Sequence, residues 1–171
     1  LCMKLTIIGT GYVGLVSGVC FAELGFAELG FDVTCVDNDA GKVKRLKAGE
    51  SIIYEPSLSE LMIKNSAAGR LHFTTDTSAA ISAADAVFLA VGTPPHPETG
   101  EADLQYIFAA AEEVAAAITG YTVVITKSTV PVGTGKKIAT IIRKTNPKAD
   151  FDIASNPEFL REGSAVSDFM N

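Results

Sequence analysis

Three glycines in Gly9-Thr10-Gly11-Tyr12-Val13-Gly14 follow the apolar run Leu5–Ile8 and precede a long helical stretch. This is G-x-G-x-x-G between a strand and a helix, the context in which the spacing has a chemical use. Gly9 makes a tight turn, Gly11 leaves room for a phosphate, and Gly14 lets helix and strand pack closely. The free N–H groups at the helix start, with the helix dipole behind them, then face an anion. Gly9, Gly11, Tyr12, Val13 and Gly14 therefore read as the cradle of a dinucleotide pyrophosphate. A glycine-rich turn without a ligand is the plain alternative, and an acid at the end of the second strand argues against it. Asp37 closes Thr34-Cys35-Val36-Asp37, where a carboxylate accepts from adenine-ribose hydroxyls and repels a 2′-phosphate. NAD is expected over NADP. Lys42 lies about one helical turn further on, where it reaches the same ribose or a phosphate, or is simply solvated beside Lys44 and Arg45.

Three further segments follow apolar runs and carry polar groups. In Val91-Gly92-Thr93-Pro94-Pro95, rigid prolines hold the Thr93 hydroxyl near the cofactor, although a bare turn signal accounts for the same residues. Lys127-Ser128-Thr129-Val130-Pro131-Val132-Gly133-Thr134 offers the hydroxyls of Ser128 and Thr129. The neighbouring Gly135-Lys136-Lys137 invites a P-loop reading, which fails because Val130 stands where glycine is needed and no Ser or Thr follows Lys136. In Asn156-Pro157-Glu158-Phe159-Leu160-Arg161-Glu162-Gly163, Asn156 can cap a helix and Pro157 suits its first position. A helix opening near Pro157 would place Glu158 and Glu162 on one face, pointing into the cleft. Acids placed to suit a helix dipole are the alternative. His72 reads as a strand surface residue and His96 as loop polarity.

The elements that must position these groups alternate short β-branched runs with longer helical stretches, the pattern of β-α-β units. Strands are predicted at Leu5–Ile8, Asp32–Val36, Leu71–Thr74, Ala86–Val91, Thr122–Lys127 and Phe151–Ser155. Runs such as Ala86 to Val91 do not alternate with polar residues, as expected when helices cover both sheet faces. Helices are predicted at Tyr12–Leu24, Gly41–Ala48, Leu58–Ala67, Ser78–Ala83, Leu104–Ile118, Gly135–Thr145 and from Pro157 onward. The predicted fold is α/β, a doubly wound Rossmann fold with a six-stranded parallel sheet and helices on both faces. Ligands of such sheets sit beyond the carboxyl ends of the strands. One irregularity stands out: Phe21-Ala22-Glu23-Leu24-Gly25 is repeated as Phe26-Ala27-Glu28-Leu29-Gly30. Inserted into a helix, five residues add about 7.5 Å and rotate the copy by about 140° from the original. Either Gly25 ends the helix and the copy bulges, which is the favoured reading, or the helix overshoots to Gly30.

The 171 residues, taken as one domain over 1–171, carry 47% hydrophobic and 20% charged residues, enough to bury a core and against intrinsic disorder. Fourteen Lys and Arg against twenty Asp and Glu leave a net charge of -6 and no basic run, which argues against nucleic acid. Cys2, Cys20 and Cys35 form no C-x-x-C, so neither a structural metal nor a disulfide framework is expected, and a cytoplasmic setting follows. The uncharged stretch from Leu5 to Ala22 is too rich in Gly, Thr and Ser for a membrane span or signal peptide, so no membrane partner is expected.

The corner at Ile8–Gly14, Val91-Gly92-Thr93-Pro94, Lys127–Thr134 and Asn156–Gly163, together and in this order, closely resemble the UDP-glucose 6-dehydrogenase family over essentially the whole chain. Tyr54-Glu55-Pro56, Ala68-Gly69-Arg70-Leu71 and Ala102-Asp103-Leu104 resemble the UDP-glucose branch more than the GDP-mannose or UDP-N-acetylmannosamine branches. The resemblance implies a primary alcohol oxidised to a carboxylate with two NAD, through a thioester on a catalytic cysteine. It implies that Val13, Asp37, Lys42, Thr93, Ser128, Thr129 and Glu162 contact NAD. Glu158, Phe159, Leu160, Arg161 and Glu162 would border UDP-glucose, and Thr129 and Glu158 would place the water that hydrolyses the thioester. The family's cysteine lies in a Gly-x-Cys-Phe-x-Lys-Asp segment that none of Cys2, Cys20 and Cys35 matches. The chain is therefore expected to bind NAD without completing turnover, the central helix and sugar-nucleotide domain of the family lying outside it. The complete protein is expected to be a homodimer or higher homo-oligomer. A non-catalytic module that senses NAD or NADH is the competing class.

Overall fold

The computed structural model describes residues 2–25, 30–97 and 100–171. Six parallel strands, β1 Met3–Ile8, β2 Phe31–Val36, β3 Leu71–Thr74, β4 Ala86–Leu89, β5 Thr122–Thr126 and β6 Phe151–Ser155, lie in the order β3-β2-β1-β4-β5-β6. The order reverses between β1 and β4, which is where a doubly wound sheet opens its ligand crevice. Ile8 is level with Val36 and with Leu89, and Leu89 with Thr126. Gly9, Asp37, Ala90 and Lys127 consequently leave the sheet side by side.

Seven helices are described: α1 Tyr12–Leu24, α2 Ala40–Lys47, α3 Leu58–Ala67, α4 Thr77–Ser82, α5 Gln105–Ala117, α6 Thr134–Thr145 and α7 Ala165–Met170. They cover both faces, and the strands feed two separate cores by alternation. Leu5, Ile7, Val33, Cys35, Ala86 and Phe88 pack with α1, α3 and α7, while Ile8, Val87, Leu89 and Val124 pack with α5 and α6. Burial on both faces explains the unbroken apolar run at Ala86 to Val91. The regular strand nevertheless stops at Leu89, two residues earlier than predicted, because β1 ends there. The sheet pattern outlasts it by one bond, Ala90 N–H to the Ile8 carbonyl at 2.9 Å. β5 likewise ends at Thr126 rather than Lys127.

Two predicted helix starts move one residue toward the amino terminus because aspartates cap them. Asp39 accepts from the amides of Gly41 and Lys42, and Asp76 from that of Ala79. The helix predicted from Pro157 is not there. Residues 156–161 are irregular and α7 begins only at Ala165. Asn156 does not cap: its Oδ1 accepts from Lys127 Nζ at 2.9 Å. Glu158 and Glu162 are therefore not brought together by a helical face. At the repeat, α1 ends at Leu24 with Gly25 as its cap, the helix end that the favoured reading gave. The rest of that expectation concerns residues 26–29, which lie outside the described residues. The chain rejoins the sheet at Gly30, whose carbonyl accepts from Met3 N–H at 3.1 Å. Among the described residues no helix is long and apolar enough to cross a membrane, and no cluster of three or more His, Cys, Asp or Glu could hold a metal.

Candidate functional site

The glycine corner is shaped by what its missing side chains allow. Gly9 has φ +103°, and a Cβ there would meet the Ala90 carbonyl oxygen at 2.7 Å. A Cβ on Gly14 would lie 1.9 Å from the Gly9 carbonyl oxygen, so the first turn of α1 sits directly on the end of β1. Around Gly11 a Cβ would meet nothing within 4 Å. That open volume lies at the start of α1, where Gly11 caps without any side-chain bond and no acid occupies the first turn. The amides of an uncapped helix start with open space before them suit a pyrophosphate.

Asp37 is buried beside this corner and is thoroughly oriented. Its Oδ2 accepts from the Thr10 amide at 3.1 Å, the Thr10 hydroxyl at 2.5 Å and Lys42 Nζ at 3.2 Å, and its Oδ1 from the Asp39 amide at 3.0 Å. Burial works to raise its pKa. The Thr10 hydroxyl, the amides of Asp39 and Thr10, and Lys42 outweigh burial and bring it below the usual aspartate value. The group is an anion with acceptor capacity left on Oδ1, which suits ribose hydroxyls and opposes a 2′-phosphate. Lys42 points at the same carboxylate rather than into solvent beside Lys44 and Arg45.

A groove of about 620 Å³ joins Gly9, Gly11, Asp37 and Lys42 to Gly92, Pro94 and the Tyr106–Glu113 side of α5. Its size and mixed lining suit a nucleotide. A smaller recess of about 290 Å³ beneath α4, lined by Lys4, Asp32 and Asp76, shares none of these groups.

The loops after β4 and β5 are tied to each other. Ser128 Oγ donates to the Val91 carbonyl at 2.7 Å, and Thr93 Oγ1 donates to the Thr129 carbonyl at 3.3 Å. Thr93 and Ser128 thus spend their hydroxyls on backbone, whereas Thr129 is exposed at the same edge. Next to them Lys127 is buried, 5% exposed, with its ammonium on Asn156 and 5.3 Å from the Phe169 ring centroid. Burial pushes its pKa down, and the charge of Glu158 pulls the other way. Glu158 is half-buried, and its Oε2 accepts from the Leu160 amide at 2.6 Å. Glu162 is exposed, and its charge is felt by the Tyr12 hydroxyl at the start of α1. Phe159 is exposed, and Leu160 packs against the core. Arg161 is held by Asp168 through Nη2 at 2.6 Å and Nε at 3.0 Å, so its guanidinium is engaged within the protein. Both thiols among the apolar residues, Cys20 and Cys35, are pushed up to about 12 by burial. His72 lies on the strand surface with Nε2 2.9 Å from Asp32.

Sequence reasoning missed Thr10, Lys127 and Glu55 as parts of this arrangement. Thr10 occupies a variable position of the glycine motif, and only its distance from Asp37 in space reveals its use. Lys127 enters the sequence reading only as the end of a predicted strand and the start of Lys127–Thr134, and Glu55 only within Tyr54-Glu55-Pro56, and the burial of both is a tertiary property.

Comparison with known proteins agrees with this geometry. Residues 3–171 match the family model for the UDP-glucose/GDP-mannose dehydrogenase family, NAD binding domain. UDP-glucose 6-dehydrogenase of Rhizobium meliloti is 58% identical over 167 residues, covering 98% of this chain and 37% of that protein. The chain thus spans little more than a third of the length of this relative and of the Bacillus subtilis UDP-glucose 6-dehydrogenase TuaD. A UDP-glucose dehydrogenase structure from Pyrobaculum islandicum superposes with TM-score 0.91 at 43% identity, covering 99% of this chain and 39% of that one. A ternary complex of GDP-mannose dehydrogenase from Pseudomonas aeruginosa gives 0.90 at 35% identity, covering 98% and 38%. With its glycine corner at the end of β1 and a buried aspartate just past β2, this chain belongs to the UDP-glucose/GDP-mannose dehydrogenase family as its NAD-binding domain.

Proposed function

We propose that this chain is the NAD-binding domain of a UDP-glucose 6-dehydrogenase, which oxidises UDP-glucose to UDP-glucuronate. The observation that supports it best is the meeting of two sets of groups at one sheet edge. Uncapped amides and Asp37 lie on the β1–β2 side, and Thr129 and the Glu158–Glu162 segment lie on the β5–β6 side. UDP-glucose is favoured over GDP-mannose by the 58% identity to the Rhizobium meliloti protein, since the fold serves both substrates. Bound NAD supplies hydride acceptance, twice for each alcohol taken to a carboxylate.

In this reading Gly9, Gly11, Tyr12, Val13 and Gly14 hold the pyrophosphate and Asp37 with Lys42 the adenine ribose, while Thr93, Ser128 and Glu162 border the remainder of the cofactor. Phe159, Leu160, Arg161 and Glu162 shape the sugar-nucleotide side. Thr129 and Glu158 orient the water that releases the product, Glu158 through the oxygen not taken by the Leu160 amide. The thiol that carries the acyl group is assigned to residues outside this chain: Cys20 and Cys35 are buried and held as thiols, and the exposed Cys2 precedes β1 at the amino end of the strands, away from the site. The chain by itself binds NAD and does not turn over. A cytoplasmic homo-oligomer is the proposed context of the complete protein.

Calorimetric titration of this chain tests the cofactor role: NAD should bind at least about tenfold more tightly than NADP, a difference of about 1.4 kcal/mol. Equal affinities would remove the role given to Asp37. Grafting the chain in place of the matching segment of the Rhizobium meliloti enzyme tests the substrate. NADH should form with UDP-glucose and not with GDP-mannose, and Glu158→Ala should lower kcat by about a hundredfold.

A further inference from the structure

The segment that bears Glu158 and Glu162 has no secondary structure of its own, so something distant must hold it. Glu55, only 5% exposed, lies just before α3 and reaches it. Glu55 Oε2 accepts from the Tyr12 hydroxyl at 2.6 Å and the Gly163 amide at 2.9 Å, and Oε1 from the Ala165 amide at 2.6 Å. These partners come from the two halves of the site. Tyr12 opens α1 inside the glycine corner, whereas Gly163, with φ +87°, and Ala165 close the Asn156–Ser164 segment. Every partner is a donor, so only a group that accepts on both oxygens satisfies them all. A glutamine would turn an N–H against either Ala165 or Gly163, leaving a buried donor unpaired. The Tyr12 hydroxyl above all, and the backbone amides after it, hold Glu55 below the usual glutamate range against the opposing effect of burial, which is the direction an ionised clamp requires.

We propose that Glu55 is a positioning residue that couples the two halves of the site, so that a dinucleotide seated on the glycine corner orders the segment carrying Glu158 and Glu162. The inference rests on the placement of NAD given under Proposed function. NAD fixes the start of α1, the start of α1 fixes Tyr12, and Tyr12 with Glu55 fixes the turn at Gly163. The coupling is reciprocal: whatever orders the segment also tightens the hold on NAD.

Hydrogen exchange of this chain, free and saturated with NAD, tests the coupling. NAD should slow the amides of residues 158–164 by about fivefold or more in the parent chain. In Glu55→Gln the slowing should fall below about twofold, measured at NAD concentrations that saturate the variant, and NAD affinity should drop by a similar factor. If Glu55→Gln loses protection in β4 and α5 and is therefore unfolded, Tyr12→Phe removes a single hydroxyl and should show the same loss of NAD-dependent slowing. A merely structural glutamate would speed exchange equally with and without NAD, leaving the ratio intact, and that result overturns the proposal. Saturable NAD binding in the parent without slowing of 158–164 overturns it as well, while leaving the NAD site standing. No NAD binding by the parent overturns the site and the coupling together.

Discussion

The two halves of the site are built by opposite means. The glycine corner is made by neighbours in sequence: β1 ends, Gly9 turns, α1 begins, and Gly14 rests on Gly9. The Asn156–Ser164 segment is made by residues far away in sequence, with Lys127 holding its start and Glu55 its end. A locally determined site is rigid because backbone meets backbone. A remotely held one is only as ordered as its clamps, which makes it the half that can respond to a ligand.

The largest effect that would sharpen this contrast lies in the corner. A methyl on Gly14 must displace backbone, not a flexible side chain, so Gly14→Ala should cost about 3 kcal/mol or more and abolish NAD binding. Gly11→Ala places the same methyl in open space, at an extended φ of -68° that any residue adopts. It should change stability by less than about 1 kcal/mol, the scale of an N-cap change, yet weaken NAD about tenfold or more by filling the phosphate's room. Thermal melts and calorimetry of both variants separate the outcomes. If both lose stability alike, or if Gly11→Ala keeps its affinity for NAD, the corner does not bind through its open amides.

The same division decides what could be read from the sequence. The strands, their parallel sense, the glycine corner and the place of Asp37 at the end of β2 were legible because each follows from local pattern: apolar runs, a motif between strand and helix, an acid closing a strand. The small shifts of α2 and α4 came from Asp39 and Asp76 acting as caps, a signal that is also local. The helix expected at Pro157 failed for a different reason. Asn156-Pro157-Glu158 satisfies the local rules for a helix start, but Lys127 takes the Asn156 side-chain oxygen that would cap it and the Leu160 amide turns to Glu158 instead of a helical carbonyl. Tertiary partners overrode a correct propensity. Thr129, Glu158 and Glu162 were singled out by motif, while the groups that hold the segment, Lys127 and Glu55, were invisible until distance could be measured.

Acid should loosen the two halves together, and the clamp should account for a measurable part. Asp37 and Glu55 both have folded-state pKa values below their ordinary ones. A depressed carboxylate contributes stability that is fully present above its unfolded pKa, near about 4, and is lost as pH falls through the folded value. The urea midpoint of the parent should therefore fall as pH drops below about 4. Glu55→Gln should start from a lower midpoint and show a shallower fall, since it has no proton to take up at that position. Parallel curves for parent and variant would mean that Glu55 is not ionised in the folded chain.

The smallest effect concerns the repeat that separates the corner from Asp37 in sequence. Although Phe26 to Gly30 copy the preceding five residues, the positions flanking the copy are already adjacent: a Cβ on Gly25 would lie 2.3 Å from the Phe31 amide nitrogen. Gly25 also caps α1, and the approach of the Phe31 backbone leaves no room there for a side chain. Excising Phe26–Gly30 therefore joins neighbours, shortens a connection and leaves the register Met3 to Phe31 available. Loop entropy changes slowly with length, so the gain should be below about 1 kcal/mol, a rise in melting temperature of a few degrees. NAD affinity should stay within about twofold, because Asp37 is fixed by Thr10 and the end of β2 and not by the connection. A fall in melting temperature would show that the second copy packs into the protein, and a loss of NAD binding would show that the placement of Asp37 depends on it.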